Sequence, residues 1–197
     1  MIDFAQFNFH PVIALPSNYE VYDFTTEYNP NRTLKSPFGI GRYNEKRTGM
    51  YEQELFAGTR NIHIGIDVGA PIRTPVHAFF DGEVFLLGNN NQPGDYGFTL
   101  ITKHMLQQTA LYALFGHLSA KSIQGKTPGM KFRQGEVLAW IGNKEENGGW
   151  NPHLHFQLSV EEPKICDMPG VVSEKDRASA LKIYPDPRLV LGQLYSD

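Results

Sequence analysis

From Asn61 to Val160 the apolar residues arrive in short runs broken by Gly, Asn and Pro: "PVHAFF", "GEVFLLG", "FTLITKHM", "ALYALFGHLS", "GEVLAWIGN" and "HLHFQLSV". The runs are too short and too rich in β-branched and aromatic residues for helices, which need an apolar repeat near 3.6 over about three turns. A mainly β, antiparallel sheet domain is the expected fold class. Two runs resemble each other, "DGEVFLLGN" at 81–89 and "QGEVLAWIGN" at 134–143, which suggests two related half-motifs in one sheet system.

The flanks read differently. Residues 1–50 are rich in Asn, Pro, Tyr, Phe and Arg and carry turn signals without helical periodicity, so they are expected to form an extended, loop-rich arm. Residues 51–165 form the expected domain, and 166–197 a polar, Pro-containing extension. Within that extension "SEKDRASALKI" at 173–183 predicts one short helix, which Pro185 prevents from continuing. With 197 residues there is room for one full-sized core and little more.

Charge and cysteine usage narrow the function classes. A formal net charge of −3, with Lys and Arg scattered, offers no basic field for nucleic acid or an anionic membrane surface. The first residues, "MIDFAQFNFHPVIALPSNY", lack the basic start of an export signal, and no apolar run reaches membrane-spanning length. A soluble protein is expected from the sequence as it stands, cytoplasmic unless it is exported by another route, in which case extracytoplasmic. Cys166 is the single cysteine; it is read as a passive thiol, and any metal must be held by His and carboxylate.

Three stretches carry candidate chemistry. In "NPHLHFQLSV" the alternation puts His153 and His155 on one face of a strand, with Cα atoms about 6.6 Å apart. That pair suits either one metal–water site or an ordinary polar, solvent-facing strand face. In "NIHIGIDVGAP", His63 and Asp67 would stand about 13 Å apart on a straight strand, so a shared ion requires a bend, for which Gly65 is placed. Alternatively Asp67 ends a strand and His63 faces solvent. His117 closes the apolar run "LFGHLS", a place where a lone histidine is ordinarily capped or exposed. His77 and His104 lie inside strand-like runs and are read as hydrogen-bonding residues.

Taken in order, His63-x3-Asp67, Gly116-His117-Leu118-Ser119 and His153-x-His155 resemble the zinc metallopeptidases of the lysostaphin and LytM type, family M23. "HIGIDVGAPIRTPVHAFFDGEV", "GDYGFTLITKH" and "KFRQGEVLAWIGN" look like that family's successive segments, and "SPFGIGR" at 36–42 like its Phe-Gly-x-Arg approach loop, with extra residues before Arg42. The likeness covers roughly residues 36–160. It implies an antiparallel β-sheet or sandwich domain of the LytM type (the duplicated hybrid motif), a Zn2+ ion bound by His63, Asp67 and His155, and His117 and His153 at the water and the substrate carbonyl. It also implies a zinc-dependent endopeptidase acting on peptidoglycan-type or glycine-rich peptides, and it puts His104 near the site. A non-catalytic zinc-binding interaction module on the same scaffold is the alternative, and a closed-site zinc carrier a third. The segment "TEYNPNRT" at 26–33 either gates the groove or serves as a structural wrap.

Overall fold

The computed structural model describes residues 2–29, 31, 33–56 and 58–196. Among them the strands are β1 (Glu20–Val21), β2 (Gly39–Gly41), β3 (Ile62–His63), β4 (Ile66–Gly69), β5 (Pro75–His77) and β6 (Gly82–Asn90). They continue with β7 (Gly97–Leu106), β8 (Thr109–Leu118), β9 (Lys131–Phe132), β10 (Val137–Trp140), β11 (His153–Ser159) and β12 (Val171–Val172). Two short helices, α1 (Arg177–Ile183) and α2 (Arg188–Leu191), follow. Helix α1 falls inside the predicted stretch, and Pro185 separates it from α2. No helix among the described residues is long and apolar enough to cross a membrane.

Eight strands form one sheet in the order β1-β2-β4-β11-β8-β7-β6-β9, and β10-β5 and β12-β3 make two small ladders. All pairings are antiparallel except β1 with β2. The two similar runs separate here: β6 lies in the large sheet and β10 in a two-stranded ladder.

Strand β11 decides where the site lies. Leu154, Phe156 and Leu158 enter the main core, where Phe156 meets Phe115 at 5.2 Å and Phe79 at 5.8 Å between ring centroids. Fully burying such side chains stabilises the fold by about 1.5–3 kcal/mol each. The alternate residues are not solvent-facing: His155, Gln157 and Ser159 are at most 3% exposed. The surface reading of that polar face is overturned, because segment 166–171 and Tyr96 cover it. The cover is visible in the bonds of Tyr96 to Met168 and of Gln157 to Pro169.

Both flanks are woven into this body. Val12 and Ile13 belong to the main core, and β2 extends the sheet beside β4. At the other end β12 pairs with β3, and Val190 joins the core. Of the "TEYNPNRT" segment, Pro30 and Arg32 lie outside the described residues; Tyr28, Asn29 and Asn31 line the cleft beside the site.

Candidate metal centre and its histidines

Register brings the candidate residues together. On β11, His155 pairs with Asp67 of β4 on one side and Gly116 of β8 on the other, and His153 pairs with Gly69. Asp67 and His155 therefore stand side by side, with His117 one residue beyond Gly116. His63 arrives from β3 across a bend at Gly65. That glycine answers a packing need as well: a Cβ there would lie 2.5 Å from Cε1 and 2.6 Å from Nε2 of His155. The absence of a side chain at residue 65 lets the imidazole lie against the backbone.

The result is a triangle of three donor atoms. His63 Nε2 lies 3.1 Å from His155 Nδ1 and 3.2 Å from Asp67 Oδ1, and His155 Nδ1 lies 3.0 Å from Asp67 Oδ1. Tetrahedral zinc with nitrogen and oxygen ligands at about 2.0–2.1 Å spaces its donors roughly 3.3 Å apart. The three atoms fit such an ion, and three protein ligands leave a fourth position open.

Outer contacts dictate which atoms face inward. Gln157 Nε2 is 3.4 Å from the Pro169 carbonyl, which can only accept, so Gln157 Oε1 is the atom 3.0 Å from His155 Nε2. His155 therefore donates from Nε2 and turns its Nδ1 lone pair inward. His63 Nδ1 lies 2.9 Å from both the Arg42 carbonyl and Arg47 Nη2, and these contacts require opposite tautomers. Donation to the carbonyl leaves the Nε2 lone pair facing the other two donors, the state a ligand needs. Burial and the nearby Arg47 charge push His63 down to about 4, so the ring is neutral near pH 7. Two lone pairs and a carboxylate oxygen then face one another without a proton between them, an arrangement that a cation relieves.

Arg47 completes the frame. It is 2% exposed, and it donates from Nη1 to Asp67 Oδ2 at 2.7 Å and to the Tyr51 hydroxyl at 2.9 Å, and from Nε to Glu45 Oε2 at 3.1 Å. Burial alone would raise the Asp67 carboxyl; the His63, Arg47 and His153 side chains hold it well below the usual carboxylate range. With Oδ2 engaged, Oδ1 is left for the triangle.

His117 and His153 sit together at the edge of the triangle, their ring centroids 4.2 Å apart. His117 Nδ1 is 2.8 Å from the Asn147 carbonyl and His153 Nδ1 is 2.6 Å from the Asn151 carbonyl. Carbonyls only accept, so both rings carry the proton on Nδ1 and keep an unprotonated Nε2. His153 Nε2 lies 3.7 Å from Asp67 Oδ1. Burial lowers the pKa of both rings, and the neighbouring histidines add to this for His117. His117 has φ of 62°, in a bulge where Gly116 and His117 stand opposite the single Thr99 of β7. A bulge re-aims a side chain beside a site, here at a cost in backbone strain of about 1–3 kcal/mol.

The structure thus gathers all five predicted residues. In the approach loop the Arg42 carbonyl meets His63, and the guanidinium on Asp67 belongs to Arg47. Gln157, Tyr96 and Arg47 were not singled out from sequence. Gln157 had a signal, since it lies two residues beyond His155 on the same strand face; the other two had none. His104 is not at the site: it contacts Thr102 at 2.7 Å and the Asp81 carbonyl at 3.0 Å, and stacks on Phe79. The half-buried Cys166 thiol is pushed up to about 12 by burial, which suits an unreactive group.

The profile of peptidase family M23 matches residues 61–166, which contain all five residues. Over 128 residues the chain is 34% identical to the DD-carboxypeptidase/endopeptidase Mpg of Neisseria meningitidis, covering 64% of this chain and 24% of that protein. Over 135 residues it is 33% identical to the cell division protein DipM of Caulobacter vibrioides, covering 68% of this chain and 18% of that protein. The chain thus spans about a quarter or less of these relatives' length. The fold is similar to that of the antimicrobial peptidase lysostaphin from Staphylococcus simulans, with a TM-score of 0.50 and 20% identity over 81% of this chain and 55% of that one. With the family profile spanning more than half of the sequence, the chain belongs to peptidase family M23.

Proposed function

We propose that this chain is a zinc-dependent endopeptidase that hydrolyses peptide bonds in peptidoglycan-type or glycine-rich peptides. The observation that carries the reading is the triangle of His63 Nε2, Asp67 Oδ1 and His155 Nδ1, with sides of 3.0–3.2 Å. The Mpg relative, named a DD-carboxypeptidase/endopeptidase, supports a wall-peptide substrate. A zinc ion held by these three residues would polarise a scissile carbonyl and lower the pKa of a water toward about 7.

The chain's own residues supply the rest. Arg47 keeps Asp67 anionic and turned inward, and Gln157 fixes the His155 tautomer. His117 and His153 each present a bare Nε2 to the cleft, so either ring can take a proton from the attacking water and return it to the leaving amine. An imidazolium formed this way is also a donor for the developing oxyanion. The adjoining cavity, about 640 Å³, is walled by Phe24, Tyr28, Tyr51, Phe56 and Trp150 and has room for several residues of a peptide.

The test uses two single variants. His155→Ala is expected to lose zinc and activity together, whereas His153→Ala retains zinc and loses most hydrolysis of muropeptide and pentaglycine substrates. Equal zinc loss in both variants, or wild-type protein that cuts neither substrate, would contradict the reading.

A further inference from the structure

Both imidazoles at the edge of the triangle lean on one loop, residues 143–151 between β10 and β11. The acceptors for His117 Nδ1 and His153 Nδ1 are the main-chain carbonyls of Asn147 and Asn151 in that loop. The orientation of two rings on two different strands is thus delegated to the conformation of a single connection.

That connection contains a weak point. Gly148 and Gly149 are consecutive glycines with φ of 80° and 93°, a left-handed pair without side chains to hold it. The Asn147 side chain bridges this pair. Its Oδ1 accepts from Gly149 N at 3.2 Å and its Nδ2 donates to the Trp150 carbonyl at 3.0 Å. Asn147 is fully buried, whereas Gly149 is exposed; removing the amide takes away both side-chain bonds across the hinge at once.

The base of the loop is fastened separately. The Glu146 carboxylate accepts from Ala120 N at 3.0 Å, Asn143 N at 3.1 Å and Arg73 Nη1 at 2.9 Å. Phe98 N, Gly94 N and Trp150 Nε1 tie the loop to segment 94–98 through the Glu146, Gly148 and Gly94 carbonyls. The two backbones touch so closely that a Cβ at Gly97 or Gly148 would overlap the opposite chain. The loop is therefore held at its rim and by the main-chain bond from Gly149 N to the Lys144 carbonyl at 3.0 Å, and among the described residues Asn147 supplies the side-chain bonds across its glycine hinge.

We infer that Asn147 is a positioning residue: its side-chain amide braces the Gly148-Gly149 hinge so that two backbone carbonyls hold His117 and His153 with Nε2 facing the cleft. The inference rests on the proposed reading of those two rings as the proton carriers. Asn147 itself touches no reacting atom; it acts through the carbonyls of residues 147 and 151.

The test reads tautomers and kinetics in parallel. Protein with 15N-labelled histidine, loaded with zinc, is examined by long-range proton–nitrogen correlation near pH 7.5. Wild type is expected to show His117 and His153 protonated on Nδ1 and bare on Nε2. In Asn147→Ala, zinc stoichiometry is expected to remain at the wild-type value while both rings move to a tautomer mixture. Its kcat on a muropeptide is expected to fall on the order of 10–100-fold with KM nearly constant, as displaced reacting groups produce. A purely structural role would lower thermal stability and leave the tautomers and kcat untouched, which would overturn the inference. The milder Asn147→Ser, and the wild-type spectrum itself, keep the test decisive if the alanine variant fails to fold: a wild-type His117 or His153 protonated on Nε2 also overturns it. Absence of hydrolysis by wild type sinks the peptidase reading alone, because the tautomers are read in the same samples without substrate.

Discussion

The Asp67 carboxylate is divided between two tasks, with Oδ2 held by Arg47 Nη1 at 2.7 Å and Oδ1 set 3.0 Å from His155 Nδ1. A guanidinium that is itself buried fixes both the charge and the rotation of this ligand. Arg47→Lys keeps a positive charge but cannot serve Asp67, Tyr51 and Glu45 from one planar fork. Zinc affinity is expected to fall about 10–100-fold, the usual effect of losing an outer partner. Chelator competition on the folded variant measures it; unchanged affinity would remove Arg47 from the account.

Gly65 makes a sharper prediction. Its φ is outside the left-handed region, so alanine there meets no conformational penalty, but its Cβ would run into the His155 ring and lie 3.1 Å from the Phe156 carbonyl oxygen. Gly65→Ala is expected to retain a folded sheet by circular dichroism while zinc stoichiometry drops well below one. A variant that binds zinc as wild type does would show that the ring can step aside.

Gln157→Leu removes the nearer acceptor for His155 Nε2 without opening the core, leaving only the Tyr96 hydroxyl at 3.5 Å among the described residues. The ring is then free to adopt the other tautomer, with Nδ1 protonated and unable to bind metal. Zinc affinity is expected to weaken by about 10–100-fold, and isothermal titration with zinc reads it directly.

His104 governs part of the pH dependence of stability, apart from the site. Burial pushes its pKa down to about 4 from about 6.5 in the unfolded chain. The unfolded state therefore binds the proton first, and the stabilisation, complete above pH 6.5, is lost as pH falls toward 4. The slope approaches 1.4 kcal/mol per pH unit and the total is roughly 3 kcal/mol. Denaturant titrations between pH 7 and 4 should show a shallower fall for His104→Gln than for wild type; parallel curves would exclude this residue.

The N-terminal residues are expected to act as structure. Val12 and Ile13 are core residues, and Phe7 and Phe9 pack on Phe80. Deleting residues 1–30 is expected to lower thermal stability without raising hydrolysis of a muropeptide. Increased hydrolysis by a folded truncation would instead support gating.

Sequence alone determined the sheet class and the shared face of His153 and His155, because side-chain alternation along a strand depends only on period. It also marked Gly65 as the place where a bend must fall if His63 and Asp67 are to share an ion, since a straight strand holds them too far apart to meet. Tertiary structure decided what local pattern cannot encode. The cover over the polar face of β11 comes from segment 166–171 and Tyr96, far along the chain. The guanidinium on Asp67 comes from Arg47, because chain path sets which arginine reaches the carboxylate. The tautomers of His117 and His153 are fixed by carbonyls of a loop whose shape depends on contacts with segment 94–98. Periodicity is a property of neighbours in sequence, whereas the choice of hydrogen-bond partner for a buried ring is made by groups that meet only when the sheet closes.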